Sequence, residues 1–384
     1  MRVSNSGRAA ARGLVLVSAL LMATTAFAAS DAKKVADDIV AAAQAKGGAK
    51  ASYGSATASG EIITITDFKV TSPKDGEVTI PSLVVTSPTD RQPGGFSATS
   101  IAFDGGQFIK GDNTAKWTTG IVNDAIVPAP SEIDSKAKIT PFTHFGIGAI
   151  SATNKKDQPE PVTIDNVSMD LANVVDGTAN DVKLQISGIA IPQAVIATEA
   201  QAKATLDQLG YTSLLLNVNI EGGYDQAKET ATIREIEIDG KDMGKLTITG
   251  SFGGLTRDKL QSSDAVKNVA STATLENASV RFENAGIAEK ILDMQAKSMG
   301  TTRDSLALML PAALPLAFGQ LNITDEAFQK QTVDAVTAFL KDPKSFTVKL
   351  NPPTPVPLES LGHQAMSSPS SIPGLLAIDV QANN

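Results

Sequence analysis

The chain has 384 residues, a formal net charge of −8 at pH 7, an aromatic content of 4% and no cysteine. A negatively charged surface repels nucleic acid and anionic lipid headgroups, so we expect neither as a partner. The absence of cysteine excludes disulfides, thiolate catalysis and thiolate metal ligands.

The first 28 residues have the pattern of an export signal. Arg2, Arg8 and Arg12 precede an apolar run from Gly13 to Ala23. Ala26-Phe27-Ala28 then fits a signal-peptidase site, which predicts cleavage near Ala28. The apolar run is too short for an ordinary membrane span, so we expect no transmembrane anchor after cleavage. Together with the lack of cysteine, this pattern predicts a protein exported to a bacterial periplasm.

Residues 29–48 are predicted to form an N-terminal helix, because Ser30 can cap it and Val35 and Ile39 recur at helical spacing. A first antiparallel β module is expected over residues 49–190, where apolar residues alternate and Asp-Gly pairs mark turns. At Asp67 the alternation moves from odd to even positions, which indicates a β-bulge. Residues 109–160 show little pattern, and 128–138 is expected to be a loop.

Residues 191–283 are predicted to contain a helix, from about Gln193 to Gln208, and then a central β meander. Apolar side chains recur at alternate positions of the meander, which places them on one face of a sheet. Two interpretations stay open, since this face is either the core of a sandwich or the lining of a groove for acyl chains. The low aromatic content favours flexible aliphatic ligands. The predicted ligand-lining residues are Leu214, Leu216, Val218, Ile220, Ile236, Ile238, Leu246, Ile248, Phe252, Val280 and Phe282.

A helical subdomain is predicted over residues 284–341, and residues 342–384 are predicted to hold a return strand, a proline-rich segment and a tail. Residues 306–318 carry no charge and contain two prolines. This segment is too short to span a bilayer. It is predicted either as a buried helix that caps the open end of the sheet or as a movable lid or membrane-touching plug. The predicted lid residues are Leu306, Leu310, Leu314 and Phe318.

No catalytic residue, metal site or cofactor is predicted. The two histidines, His144 and His363, lie in neither a nucleophile motif nor a zinc motif. Gly146-Ile147-Gly148 lacks the third glycine and the lysine of a phosphate loop. Asp239-Gly240-Lys241-Asp242 lacks the ligand spacing of a calcium loop and is predicted to be a hairpin turn.

A family resemblance covers about the C-terminal half of the chain. It is carried by Leu209-Gly210-Tyr211, Tyr224-Asp225, Asp242-Met243-Gly244-Lys245-Leu246 and, after two helices, Phe339-Leu340-Lys341-Asp342-Pro343. This spacing resembles that of uncharacterised exported proteins of alphaproteobacteria, which in turn are distantly similar to AsmA-like periplasmic proteins. The resemblance implies a long curved sheet that forms a groove for lipid, and it implies no catalytic residue. The chain departs from the AsmA-like pattern by its shortness and by the lack of an anchor after the signal.

These patterns predict an α+β, mainly β protein: a long curved antiparallel sheet, arranged as a groove or a sandwich, with a C-terminal helical subdomain. The predicted function is non-enzymatic binding of a lipid or other apolar ligand in the periplasm, with a role in the cell envelope. The alternative is a structural or scaffold envelope protein with a closed β core and no ligand. A hydrolase with His144 as its base is a third hypothesis. No protein partner is named by the sequence.

Overall fold

The structure is a computed structural model, and it describes residues 31–45, 48–133, 139–156, 158–260 and 264–384. The chain divides into two compact units, Met1–Lys203 and Ala204–Asn384. Both units are built on antiparallel sheets, and the longer helices after the first one lie in the second unit. The predicted fold class, mainly β with a C-terminal helical subdomain, is therefore confirmed.

The first unit is an antiparallel sheet with one long helix before it. Strands β1 and β2 both pair with β3, and the order then runs β3-β4-β6-β7-β8-β9-β10, with β5 added to β6. The strands are β1 Lys50–Ser52, β2 Ser55–Ser59, β3 Ile62–Ser72, β4 Gly76–Thr86, β5 Thr89–Asp90, β6 Gly95–Lys110, β7 Asn113–Pro128, β8 His144–Asn154, β9 Gln158–Val175 and β10 Thr178–Ile191. The helices are α1 Ala32–Gln44, α2 Pro130–Ile133, α3 Gln193–Ile196 and α4 Ala200–Gln208, and the division between the units falls within α4.

Helix α1 packs against the apolar side of strands β1, β2, β3, β6 and β7. Asp31 caps the helix, since its side chain accepts a hydrogen bond from the backbone N–H of Lys33 at 3.0 Å. The buried residues Val35, Ala36 and Ile39 lie on the side of α1 that meets the strands. They join one continuous core that extends from β3 to β9. The first unit thus buries the apolar face of these strands, while Val182 of β10 is 38% exposed.

The change of alternation at Asp67 has a left-handed residue as its cause. Asp67 has φ 53°, and the pairing of β3 with β4 keeps the same register on both sides of it, so no extra residue is inserted. The sequence therefore predicted the position of the irregularity correctly, but the irregularity is not a β-bulge. The register also sets Gly105, Ala149 and Gly188 in the same row across the sheet, and all three have positive φ. A left-handed residue turns the strand over, so both halves of β3, β6 and β8 keep their apolar side chains on one face.

Two aromatic rings of this core lie over glycines of the neighbouring strand. Phe103 pairs with Gly120, and Gly106 pairs with Trp117. A Cβ atom on Gly120 would lie 1.9 Å from the Phe103 ring, so only glycine leaves room there. The two rings meet edge to face, with centroids 6.5 Å apart.

Replacing Gly120 with alanine should therefore destabilise the first unit by about 1–3 kcal/mol, because the added methyl forces the Phe103 ring out of place. Gly94→Ala is the matched control, since its Cβ would make only ordinary contact, at 3.4 Å. Urea unfolding followed by fluorescence of Trp117, the only tryptophan, measures the change in this unit. Equal stability of the two variants would contradict the packing described.

An ion pair between Arg91 and Glu132 lies within the first unit. The two side chains are 6% and 13% exposed, and two guanidinium nitrogens contact the carboxylate at 2.8 and 3.1 Å. Glu132 also accepts the backbone N–H of Ala129 at 2.9 Å. Burial lowers the pKa of the Arg91 guanidinium, and the charge of Glu132 opposes this effect. The pair fastens α2 to the turn before β6.

The change Glu132→Gln should destabilise the first unit by about 3–5 kcal/mol, because it leaves a buried guanidinium without its counter-charge. Glu77→Gln, in the more exposed pair with Lys69, should cost less than about 1 kcal/mol. The double change Arg91→Met with Glu132→Leu should cost less than Glu132→Gln alone, because no charge stays buried. The urea unfolding measurement tests this prediction. A double variant that is less stable than Glu132→Gln would contradict the account of the ion pair.

The second unit has the strand order β11-β12-β13-β14-β15-β17, and β16 pairs with the start of β14. Its strands are β11 Leu214–Asp225, β12 Thr230–Gly240, β13 Gly244–Gly253, β14 Thr274–Asn284, β15 Ser345–Leu350, β16 Val356–Pro357 and β17 Ile378–Ala382. Its helices are α5 Arg257–Leu260, α6 Ala265–Thr272, α7 Ile287–Ser298, α8 Arg303–Gln320, α9 Glu326–Lys341, α10 Leu358–Ser367 and α11 Ile372–Leu376, with a 3₁₀ turn at Pro369–Ser371.

Three local details come from the structure. The cap of α9 is Asp325, whose side chain accepts a hydrogen bond from the Phe328 N–H at 3.0 Å, although Thr324, one residue earlier, is the cap that the sequence indicates. Helix α7 buries Leu292 and leaves Ile291 exposed. The segment 109–160, which had little pattern, contains the long strands β7 and β8. Tertiary packing selects the buried stripe of a helix whose apolar residues occur on more than one side.

Among the described residues, none of the helices is both long and apolar enough to cross a bilayer. The predicted export signal, its cleavage position and the proposed cap Ser30 lie outside the described residues, as do residues 134–138 of the predicted loop.

Candidate functional site

The predicted ligand-lining residues of the second unit form rows across its strands. Residues directly opposite each other in an antiparallel pair project from the same face. One row is Val218, Ile238, Leu246, Phe282 and Phe346, and the next is Ile220, Ile236, Ile248, Val280 and Val348. Leu216 lies on the same face opposite Gly240. We call this surface the apolar face.

Two strands complete the apolar face with side chains that the sequence analysis did not include in the ligand-lining set, although it predicted a return strand in residues 342–384. Phe346 and Val348 of β15, and Val380 of β17, continue the rows beyond β14. Their alternation is visible in the sequence, but only the pairing of β14 with β15 places them beside Phe282 and Val280.

Part of the apolar face is open to solvent. Ile238 and Val280 are 40% and 43% exposed, although each lies inside a row with apolar side chains on both sides of it. Their neighbours Ile236, Ile248 and Leu246 are only partly buried. Large exposed apolar patches on a protein mark sites of interaction. This patch, in β11–β14, is the candidate site.

Both ends of the apolar face are covered. At one end α10 and α11 contribute to a cluster around Leu275, Val356 and Leu376, and predicted residue Phe252 packs against this cluster. At the other end Phe339 of α9 contacts Phe282 and Phe346, with ring centroids 6.3 and 5.6 Å apart. The open stretch is therefore bounded by the chain's own side chains.

The opposite face of the same strands is polar and paired by charge. Asn219 donates to Glu235 at 2.8 Å, and Lys245 contacts Glu237 at 3.1 Å. The hydrogen bond from Lys245 to Glu237 raises the pKa of the lysine amine. Arg281 reaches Glu283 at 3.1 Å. This face is suited to water, as the alternation predicted.

Helix α9 runs along strand β17. Asn383 donates to the Ala338 carbonyl at 3.0 Å, and Gln331 bonds to Asp379. This helix blocks the free backbone groups of an edge strand, which would otherwise pair with another chain. A groove of about 620 Å³ lies between α9 and β17, and Val380 of the apolar face lines part of it.

The predicted lid residues lie on helix α8 and differ in exposure. Leu306 is fully buried in a cluster with Leu292 and Ala296 of α7. Phe318 packs on Phe328 of α9, with ring centroids 6.0 Å apart. Leu310 is exposed and Leu314 is half-buried. The structure thus ties α8 to its neighbouring helices through two of the four residues, and a lid role stays a prediction.

Two residues that carry the family resemblance, Tyr211 and Asp242, contact each other at a hairpin turn. The Tyr211 hydroxyl donates to the Asp242 carbonyl at 2.7 Å, and Lys290 lies 3.6 Å from the centroid of the same ring. Asp242 has φ 58° in the hairpin turn between Gly240 and Gly244, so the turn prediction is confirmed. These contacts position β13 and the start of α7.

His144 is the histidine with an acidic partner. Its Nδ1 lies 2.6 Å from Oδ1 of Asp170, on the neighbouring strand β9. This geometry is that of a histidine oriented by a carboxylate, and a hydrolase would also need a nucleophile at Nε2. In the ranges that the structure describes, no cluster of three histidine or acidic side chains could hold a metal ion.

Comparison with known proteins gives one partial match. A protein-family model described as "Uncharacterized protein" matches residues 237–383. The matched segment begins in β12 and ends just after β17, so it lies within the second unit and includes most of the apolar face. No curated protein matches the chain.

Proposed function

We propose that this protein binds a lipid or another apolar ligand on the open stretch of the apolar face. The observation that carries the proposal is the exposure of Ile238 and Val280 within two rows of apolar side chains. In the first unit the apolar side chains of β3 to β9 join one buried core, whereas no such core includes Ile238 or Val280 of the second unit. When a ligand removes an exposed aliphatic side chain from water, the free energy falls, and this favours binding.

The shape of the open stretch favours a flexible chain over a flat ring system. It is two rows of side chains wide and about four strands long, which at about 4.8 Å per strand gives a length of about 15 Å. It is lined by valine, isoleucine and leucine in its centre, and the aromatic side chains Phe282 and Phe346 lie at one end under Phe339. An acyl chain laid across the strands fits this strip.

The proposal also includes a cellular location and a functional class for the protein. With the predicted export signal, the chain is a non-enzymatic periplasmic protein that takes part in lipid handling in the cell envelope. The resemblance to AsmA-like proteins points in the same direction, because their sheets form lipid grooves. The rival function is a structural or scaffold protein, and the closed core of the first unit favours it for that unit.

A charge placed on the apolar face tests the binding site. Val280→Asp should lower the affinity for a fatty-acyl fluorescent probe by at least about tenfold, because an apolar ligand would bury the carboxylate without a partner. Val174→Asp is the matched control, since Val174 is 47% exposed, close to the 43% of Val280, and lies in the first unit. The control should bind the probe like the unchanged protein.

Native mass spectrometry of gently extracted protein gives an independent measure. The unchanged protein and Val174→Asp should carry lipid, and Val280→Asp should be empty. If the unchanged protein neither carries lipid nor takes it up, the scaffold function is correct. If Val280→Asp retains its ligand, binding occurs elsewhere.

A further inference from the structure

Helix α8 has an apolar side that faces solvent. Leu308, Leu316 and Met309 are 74%, 69% and 51% exposed. A surface helix normally has charged or polar side chains on its outer side, whereas residues 305–324 include no charged residue. The apolar composition of this helix therefore does not match its exposure to solvent.

The three most exposed large apolar side chains of α8 lie on one side of the helix, whereas Leu310, at 41% exposure, lies on another side. At about 100° per residue, Leu308, Met309, Ala312 and Leu316 fall within one arc, and the buried Leu306 and Phe318 lie outside it. We call these four residues the α8 strip. At about 1.5 Å per residue, the α8 strip is about 12 Å long.

The size of the α8 strip does not suit a stable protein interface. With a width of at most about 10 Å, its area is on the order of 100 Å², far below the roughly 800 Å² per partner of a standard interface. It also contains no tryptophan, tyrosine or arginine, which supply most strong anchors in protein interfaces. A second copy of this chain or a folded partner would gain little from it.

A lipid surface suits the same features. We propose that α8 docks the protein on a lipid bilayer surface, with Leu308, Met309 and Leu316 inserted at the boundary between headgroups and acyl chains. Inserted aliphatic side chains need no complementary shape, and an uncharged segment leaves no ion unsolvated. Since the chain has a net charge of −8, the docked surface is zwitterionic and not anionic.

This docking surface is separate from the proposed ligand site. Its residues belong to α8, and the open stretch of the apolar face belongs to β11–β14. Docking and ligand binding can therefore be removed one at a time. Val280→Asp should still bind vesicles, and a variant of the α8 strip should still bind the acyl probe.

Flotation with phosphatidylcholine vesicles tests the proposal. The unchanged protein should float with the vesicles, and the partition should persist at high salt and not increase with phosphatidylglycerol. The double change Leu308→Asn with Leu316→Asn should lower the partition constant by at least about tenfold, because two inserted leucines are lost. Met366→Asn is the control, since Met366 is 89% exposed on α10 and its loss should leave flotation unchanged.

A fluorescent label gives the second measurement. Because the chain has no cysteine, Leu316→Cys carries an environment-sensitive dye at one position only. Its emission should shift to the blue when vesicles are added, whereas the same dye on Met366→Cys should not respond. Absence of flotation by the unchanged protein overturns the proposal. So does a dimer in solution that the double change dissociates, because the α8 strip would then be an interface between copies.

Discussion

Antiparallel pairing in the second unit puts every second side chain of its strands on one surface. The positions of the covering helices and of the exposed apolar residues depend on this arrangement. The pairing gathers isoleucine, valine and leucine from separated segments into two adjacent rows. The same pairing sends the charged residues of those strands to the other face, where Lys245 and Glu237 meet. The sheet therefore has one face for water and one that needs a cover.

The two units meet this need differently. In the first unit α1 lies on the sheet, and Val35 and Ala36 are fully buried between them. In the second unit the chain covers only the ends of the apolar face, with the cluster around Leu376 at one end and Phe339 at the other. The open stretch between them is the surface on which we propose that an apolar ligand binds, because hydrophobic burial is not directional and requires only contact.

Helix α8 also exposes apolar side chains to solvent, although it is held in place by neighbouring helices. Its inner side is held by Leu306 and Phe318 against α7 and α9, so the helix is positioned by its neighbours. Its outer side is also apolar, which a helix in water would not maintain for stability alone. A lipid ligand and a lipid surface are compatible with each other, because a protein that carries an acyl chain must meet the membrane from which the chain comes.

The sequence by itself determined the alternation that makes the apolar face, because a strand's period of two is a local property of the backbone. It also determined the turns at Gly240 and Gly244 and the position of the change at Asp67. Only the tertiary structure decided that β15 and β17 extend the rows, since pairing between distant segments leaves no local pattern. It alone decided that Val280 is exposed while Leu306 is buried, because burial depends on which elements pack together and not on the hydrophobicity of one side chain.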